Sequence, residues 1–265
     1  MMPKVIVLDL DGTLLDSNKR ITDRNLQVMR GLKDAGIPMI FATARPPRAV
    51  NQLEVDLLSY GSVVYYNGAL FQCRTTGREM HYSITKETAS SIFDYCLSRD
   101  PGAHLSMEVK DEWLTYKALD YREMMRVISN PSIVTMEQLR TYDCTKILIS
   151  DYEGVEELNR LFGSQVHILC TDSGRLIQIM SRESSKEKAV QYLVESIGYT
   201  MSEVMCFGDD YNDLGLFRTC GISVAMGNAV KELIDTATEV TETNDRDGVA
   251  LVLERVLDTY KIRGH

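Results

Sequence analysis

The 265-residue sequence has no apolar stretch long enough to cross a membrane and no block of lysine and arginine residues. Its 38 acidic and 29 basic residues give a formal net charge of −9. Such an acidic chain is not expected to bind nucleic acid or anionic membranes in general, although one local site can still accept a small anion. The first four residues lead directly into a predicted strand, so we expect no signal peptide and a cytoplasmic location.

Paired cysteine motifs are also absent. The six cysteines are scattered and form no C-x-x-C pair, so we expect reduced, mostly buried thiols and no zinc site. They are Cys73, Cys96, Cys144, Cys170, Cys206 and Cys220. The apolar content of 44% and the charged content of 25% are ordinary for a globular protein, and the length allows one or two domains.

The pattern of predicted strands and helices changes twice along the chain. The first ~70 residues alternate strand and helix, which is typical of a parallel α/β sheet. From about residue 80 to 182, short alternating strands predict an antiparallel sheet with helices on one face, and the strand–helix alternation resumes at Ser184. We therefore predict an α/β fold with a Rossmann-like parallel-sheet core, residues 1–80 and 184–265. An α+β cap domain, residues 81–183, is inserted into it.

The most informative residues are Asp9 and Asp11, which close an unbroken apolar run at residues 5–8. This run predicts a buried strand, and side chains two residues apart in an extended segment point to the same side. Gly12 and Thr13 then turn the chain away. Because ligands of open α/β sheets bind at the carboxyl ends of the strands, the two carboxylates are placed for function. Their repulsion is relieved when a cation or a proton is shared between them.

A carboxylate can attack phosphorus and form an aspartyl phosphate, which makes phosphoryl chemistry a natural use of Asp9. The site must then supply positive charge, and Mg²⁺ is suited to a few carboxylates together with phosphate oxygens. Asp9 and Asp209 follow two different predicted strands and are candidate metal ligands. Asp213 lies one helical turn beyond Asp209 and is a further candidate.

Three other side chains complete this chemistry. Lys186 brings a fixed cation toward the phosphoryl oxygens, and the Thr43 hydroxyl can donate a hydrogen bond to one of them. Asp11, beside a metal-bound partner, could keep or take a proton. It would thereby act as a general acid that protonates the leaving oxygen and later activates water.

The order of these residues resembles the haloacid dehalogenase superfamily. More narrowly, it is similar to the Cof-type sugar-phosphate phosphatases, which carry a large α/β cap. The resemblance covers essentially the whole chain. It rests on the segments 9–14, 43–45, 67–69, 186, 208–213, 225–229 and 244–249.

The resemblance implies a role for each core residue. It makes Asp9 the nucleophile and Asp11 the general acid/base, with Thr43 and Lys186 as phosphate ligands. Asn212 is implied to contact the phosphoryl group.

For the metal, the resemblance implies Mg²⁺ held by Asp9, Asp209 and the backbone carbonyl of Asp11. It assigns Asp213 to the orientation of the metal's waters or of Lys186.

We therefore expect a magnesium-dependent phosphatase of small phosphate esters, most of all sugar phosphates, that acts as a monomer or homodimer. A phosphomutase of the phosphomannomutase type is an alternative, although its bisphosphorylated intermediate would favour a more basic cap. A non-catalytic phosphosugar-binding regulator is another, but its loss of catalysis would most simply appear as a missing Asp9 or Asp11.

Four residues are candidates for contacts with the leaving group: Arg45 in the core, and His104, Glu108 and Lys117 in the cap. The other core candidates contact only the phosphoryl group that all substrates share, so discrimination is expected mainly from the cap. Single alanine variants of the three cap residues should lose about 1–3 kcal/mol, or roughly 5- to 150-fold in kcat/KM, on the best sugar phosphate. A small aryl phosphate should be almost unaffected. Parallel losses on both substrates, or no loss on either, would remove these residues from substrate recognition.

Overall fold

The computed structural model describes residues 2–118, 120, 130–171 and 175–262. The chain divides into two compact units. The first combines Met1–Met80 with Ser185–His265, and the second is the continuous segment His81–Ser184. Each unit has its own sheet and its own hydrophobic core.

The first unit is built on an eight-stranded sheet. Its strands are β1 (Val5–Leu8), β2 (Met39–Ala42), β3 (Ser62–Tyr65), β4 (Leu70–Gln72), β5 (Glu79–His81), β12 (Val204–Gly208), β13 (Ile222–Ala225) and β14 (Glu239–Val240). Their order is β14-β13-β12-β1-β2-β3-β4-β5, parallel from β14 to β3, with β4 antiparallel to β3. β1 lies at the centre with all four residues buried, which explains its continuous apolar sequence.

Helices cover this sheet. They are α1 (Asp23–Asp34), α2 (Pro47–Val50), α6 (Lys186–Ser196), α7 (Leu214–Thr219), α8 (Lys231–Thr236) and α9 (Gly248–Ile262). α1 and α9 pack with Ile6 and Leu8 in one core, while α6 packs against β2 and β3. Thr22 caps α1 by accepting a hydrogen bond from the backbone N–H of Asn25, as its sequence position predicts.

The second unit has a six-stranded sheet with its own helices. The strands are β6 (His104–Val109), β7 (Glu112–Thr115), β8 (Ser132–Ile133), β9 (Lys146–Ser150), β10 (Val166–Thr171) and β11 (Leu176–Ser181). The described helices are α3 (Lys86–Arg99), α4 (Met136–Leu139) and α5 (Val155–Phe162). The strand order is β10-β11-β9-β6-β7-β8. Apolar residues of one sheet face, such as Met107 and Ile147, pack with Phe93 of α3 and Leu158 of α5.

The predicted fold class is confirmed: a Rossmann-like parallel core is interrupted by an α+β unit. One detail differs from the expected antiparallel sheet, because the short strand β8 pairs in parallel with β7. Within the described residues, no helix combines the length and the apolar character needed to cross a membrane.

Candidate active site

Three polar residues predicted for the site follow neighbouring parallel strands of the first unit. Asp9 follows β1, Thr43 follows β2 and Asp209 follows β12. Because these strands are parallel neighbours, with β1 between β2 and β12, the three residues share one edge of the sheet. This edge is the usual ligand-binding edge of an open α/β sheet.

A buried lysine joins two of the carboxylates. Lys186, the first residue of α6, is 3% exposed, and its Nζ lies 2.8 Å from Asp9 Oδ1 and 2.7 Å from Asp213 Oδ1. Burial alone would lower the pKa of Lys186, but the charges of Asp213 and Asp9 raise it overall. Lys186 is therefore held as a cation beside the candidate nucleophile.

Asp213 also holds the loop that carries Asp209. Its Oδ2 accepts hydrogen bonds from the backbone N–H groups of Asp209, at 3.1 Å, and Asp210, at 3.3 Å. Since its Oδ1 accepts from Lys186, both oxygens of this buried carboxylate have protein donors. Asp213 is thus arranged mainly to orient Lys186 and the loop.

Asp9, Asp209 and Asp213 form an acidic group that could hold a metal ion, with candidate ligand oxygens within 4.8 Å of one another. Three carboxylates and Lys186 leave a formal charge of −2 when all are ionised. Burial raises the pKa of Asp9 to about 8, with Lys186 opposing this rise. Burial likewise raises the pKa of Asp209 to about 6, although the Thr13 hydroxyl donates a 2.9 Å hydrogen bond to it. A divalent cation would neutralise the excess charge.

Asp11 has a different environment, although it is only two residues from Asp9. Arg45 donates to both of its carboxylate oxygens, at 2.6 and 2.7 Å, and Lys19 Nζ lies 2.8 Å from Oδ1. Burial opposes ionisation, but these two cations lower the pKa of Asp11 overall. The structure therefore favours an ionised Asp11 over one that keeps its proton. Arg45, a candidate for substrate contact, is thus hydrogen-bonded to Asp11.

The two remaining phosphate-binding candidates lie at the same strand-end edge. Thr43 is buried, and its hydroxyl accepts a hydrogen bond from the backbone N–H of Arg45 at 3.1 Å. Asn212 is exposed and donates from Nδ2 to the side-chain oxygen of Asn67 at 3.1 Å. Asn67 has a positive φ of 50°, and the next residue, Gly68, packs against the backbone of Ser185 immediately before Lys186.

Two asparagines hold the loop after Asp11, and their side-chain roles were not predicted from the sequence. Asn228 donates to the carbonyl of Gly12 at 2.8 Å and accepts from the backbone N–H of Asn244 at 3.0 Å. Asn244 in turn donates to the carbonyl of Leu15 at 2.9 Å. Both asparagines lie in segments on which the family resemblance rests, and this resemblance was the signal by which the sequence could have identified them.

The three cap candidates belong to the second unit. Glu108 is buried in β6, and Lys146 Nζ lies 3.9 Å from its carboxylate. His104 begins the same strand, and its buried Nδ1 has no hydrogen-bond partner among the residues that the structure describes. Lys117 donates to the carbonyl of Gly102 at 2.9 Å. Glu108 is thus engaged in a buried ion pair, and the three residues do not form one cluster through these contacts.

The sequence matches the family of haloacid dehalogenase-like hydrolases over residues 6–253. It is 30% identical to the 5-amino-6-(5-phospho-D-ribitylamino)uracil phosphatase YitU of Bacillus subtilis, covering 95% of this chain and 97% of the relative. A crystal structure from Thermotoga maritima is similar, with a TM-score of 0.84, 27% identity and coverage of 96% and 97%. A haloacid dehalogenase-like hydrolase from Bacteroides thetaiotaomicron has a TM-score of 0.81, 27% identity and coverage of 96% and 99%.

This chain therefore belongs to the haloacid dehalogenase-like hydrolases. The resemblance inferred from the sequence motifs is confirmed, and so is the prediction that the chain is a hydrolytic enzyme of this family. The strand-end cluster around Asp9 and Lys186 is accordingly the candidate active site.

Gly12 offers a sharp test of this cluster. Its φ is +79°, and a Cβ added there would lie 2.2 Å from Asp209 Oδ2. Gly36 has a similar φ of +70°, but among the described residues no atom lies within 4 Å of an added Cβ. Both Gly12→Ala and Gly36→Ala should lower stability by about 1–2 kcal/mol through backbone strain. Only Gly12→Ala should also displace the Asp209 carboxylate and lower kcat/KM by about 100-fold or more.

Thermal unfolding and steady-state kinetics of the two variants measure these effects. Equal activity in the two variants, at similar stability, would contradict the assigned importance of the Asp209 position.

Proposed function

We propose that this protein is a magnesium-dependent phosphatase that hydrolyses small phosphate esters, sugar phosphates above all, through an aspartyl phosphate on Asp9. The observation that carries the proposal is the Asp9 carboxylate, buried beside Lys186 and grouped with Asp209 and Asp213. A nucleophile, a fixed cation and a set of oxygen ligands are thereby brought to one strand-end edge. The family match and the phosphatase activity named for the Bacillus subtilis relative support the same reaction class.

The donor set fits a hard divalent cation. All three side chains of the acidic group are carboxylates, and Mg²⁺ prefers a few carboxylate oxygens completed by waters and phosphate. Asp9 and Asp209 would hold the ion, with the backbone carbonyl of Asp11 as a further ligand and Asp213 behind them. When bound, the ion would stabilise the negative charge that develops on the transferring phosphoryl group.

In the first step, a carboxylate oxygen of Asp9 attacks phosphorus, and the bond from phosphorus to the leaving oxygen breaks. Lys186 lies 2.8 Å from Asp9, so its charge offsets the repulsion between the carboxylate and the phosphoryl dianion. The buried hydroxyl of Thr43 is a donor for one phosphoryl oxygen. Asp11 gives its proton to the leaving oxygen.

In the second step, water attacks the phosphorus of the aspartyl phosphate, and Asp11 accepts a proton of that water. The bond between phosphorus and the Asp9 oxygen breaks, which releases inorganic phosphate and restores the Asp9 carboxylate. The contacts of Asp11 with Arg45 and Lys19 favour the ionised form that this step requires. Protonation of Asp11 for the first step therefore competes with both ion pairs. Arg45 and Lys19, which pair with Asp11, are therefore proposed to determine how readily Asp11 takes up the proton.

The proposed substrate class rests on the relative. The relative acts on a phosphorylated ribityl compound, a polyhydroxylated phosphate ester. A panel of sugar phosphates, sugar-alcohol phosphates and nucleotides, assayed for released inorganic phosphate, tests this assignment. The phosphomutase alternative is not favoured, since the relatives are named phosphatases. In the same assay, a phosphomutase would interconvert sugar phosphates with little phosphate release. The regulator alternative is not favoured either, because both Asp9 and Asp11 are present. The prediction that the inserted unit selects the leaving group stays a prediction.

Asp9→Asn tests the nucleophile. The amide has nearly the same shape but cannot form the aspartyl phosphate, so kcat should fall by about 10³-fold or more. Asp235→Asn, which changes an exposed carboxylate paired with Lys231 on the same unit, should retain full activity. A folded Asp9→Asn variant with activity near that of the control would refute the role of Asp9.

Metal removal tests the acidic group. Dialysis against a chelator should abolish phosphate release, and added Mg²⁺ should restore it, while Ca²⁺, which prefers a larger oxygen shell, should restore little. Mg²⁺ should also raise the Tm of the metal-free wild type, because it neutralises buried carboxylates, and should raise that of Asp209→Asn much less. Full activity after chelation would rule out the metal assignment. An equal Tm rise in both proteins would place the ion elsewhere.

A further inference from the structure

Two of the six cysteines lie together in the first unit. All six are free thiols, and the Sγ atoms of Cys206 and Cys220 are 2.7 Å apart. A disulfide requires an S–S bond of about 2.05 Å, so the two sulfurs need to approach by only a fraction of an ångström. This pair could not be predicted from the sequence, because the two cysteines are separated by 13 residues and form no recognised motif.

In the sequence, the two cysteines lie before and after the loop that carries the candidate metal ligands Asp209 and Asp213. Cys206 lies in the middle of β12, and Cys220 directly follows α7. Between them the chain passes through Asp209 and Asp213. A bond between the two sulfurs would therefore close a ring of the chain around this part of the candidate active site.

We propose that Cys206 and Cys220 form a redox-modification site. A hydroperoxide converts the two thiols into a disulfide, which links the two ends of the segment that carries Asp209. The inference is independent of the proposed phosphatase activity, since it needs only the two thiols and a two-electron oxidant. The overall change joins two thiols and one hydrogen peroxide molecule to give one disulfide and two water molecules. The sulfurs lose two electrons, and the peroxide oxygens gain them.

The surroundings of the two thiols indicate which of them reacts with peroxide first. Cys220 is partly exposed, whereas Cys206 is fully buried, so peroxide reaches Cys220 first. A hydrogen bond from the Cys206 thiol lowers the pKa of Cys220, while burial raises the pKa of Cys206. The Cys220 thiolate thus attacks a peroxide oxygen and becomes a sulfenic acid, with hydroxide as the leaving group. The Cys206 sulfur then attacks the Cys220 sulfur, and its proton leaves with the sulfenic hydroxyl as water.

The β-sheet allows this bond to form without rearrangement of the fold. Cys206 is fixed by pairing of β12 with β1 on one side and β13 on the other, opposite Val7 and Ser223. Cys220 lies outside the strands, so its side chain can supply most of the small displacement. The disulfide should then restrict the unfolded chain more than the folded one, and oxidation should raise the Tm by several degrees, on the order of 5 °C.

Peptide mass spectrometry under non-reducing conditions tests the proposal on the full-length protein. The reduced protein is treated with a small excess of hydrogen peroxide, quenched with catalase, alkylated and digested with trypsin. Cleavage after Arg218 separates the two cysteines, so the disulfide links peptides 189–218 and 219–231. We expect this linked pair in the wild type, its loss on treatment with dithiothreitol, and the rise in Tm before that treatment.

Two variants serve as controls. Cys170→Ser removes an exposed thiol of the second unit and should leave both the linked pair and the Tm rise unchanged. Cys220→Ser should abolish both, and because residue 220 is only partly buried, this variant should fold. The proposal is overturned if Cys206 of the oxidised wild type stays alkylatable after unfolding. It is also overturned if Cys220 appears only as sulfinic or sulfonic acid, or if Cys220→Ser shows the same Tm rise.

Discussion

The arrangement of the first unit depends on one buried cation, the ammonium of Lys186, between the carboxylates of Asp9 and Asp213. A buried ammonium without partners is costly, and so are two buried carboxylates without a cation. Each of the three charges therefore stabilises the burial of the others. Together they connect the end of β1, the start of α6 and the loop after β12. Removing the lysine would take its positive charge away from both Asp9 and Asp213.

Two carboxylates that are close in sequence, Asp9 and Asp11, have pKa values shifted in opposite directions. Asp9 is buried among other acids and its pKa is raised, whereas Asp11 is paired with Arg45 and Lys19 and its pKa is lowered. Residues two apart in the sequence thus have opposite tendencies to hold a proton. The difference comes from how deeply each side chain is buried and from what it contacts, since the residue type is the same.

The sequence predicts best those parts of the structure that a few neighbouring residues determine. The apolar run before Asp9 and the threonine that caps α1 each determine local structure through their own chemistry. The strands of only two or three residues were not predicted, because such short segments have no periodicity to detect. These are Leu70–Gln72, Glu79–His81, Ser132–Ile133 and Glu239–Val240. In the candidate site, motif order identified Asp9 and Lys186. The pairing of Arg45 with Asp11 could not be foreseen, because side-chain contacts between distant segments arise only in the folded chain.

The position of β1 has a consequence for how the protein forms during synthesis. One neighbour of β1 is β2, about 30 residues later, but the other is β12, near residue 204. The second unit, His81–Ser184, is continuous in the chain and leaves the ribosome before β12 does. It can complete its own sheet while β1 still exposes one edge. During this interval an apolar central strand lies unpaired on one side, and shielding it from other chains is a task for molecular chaperones.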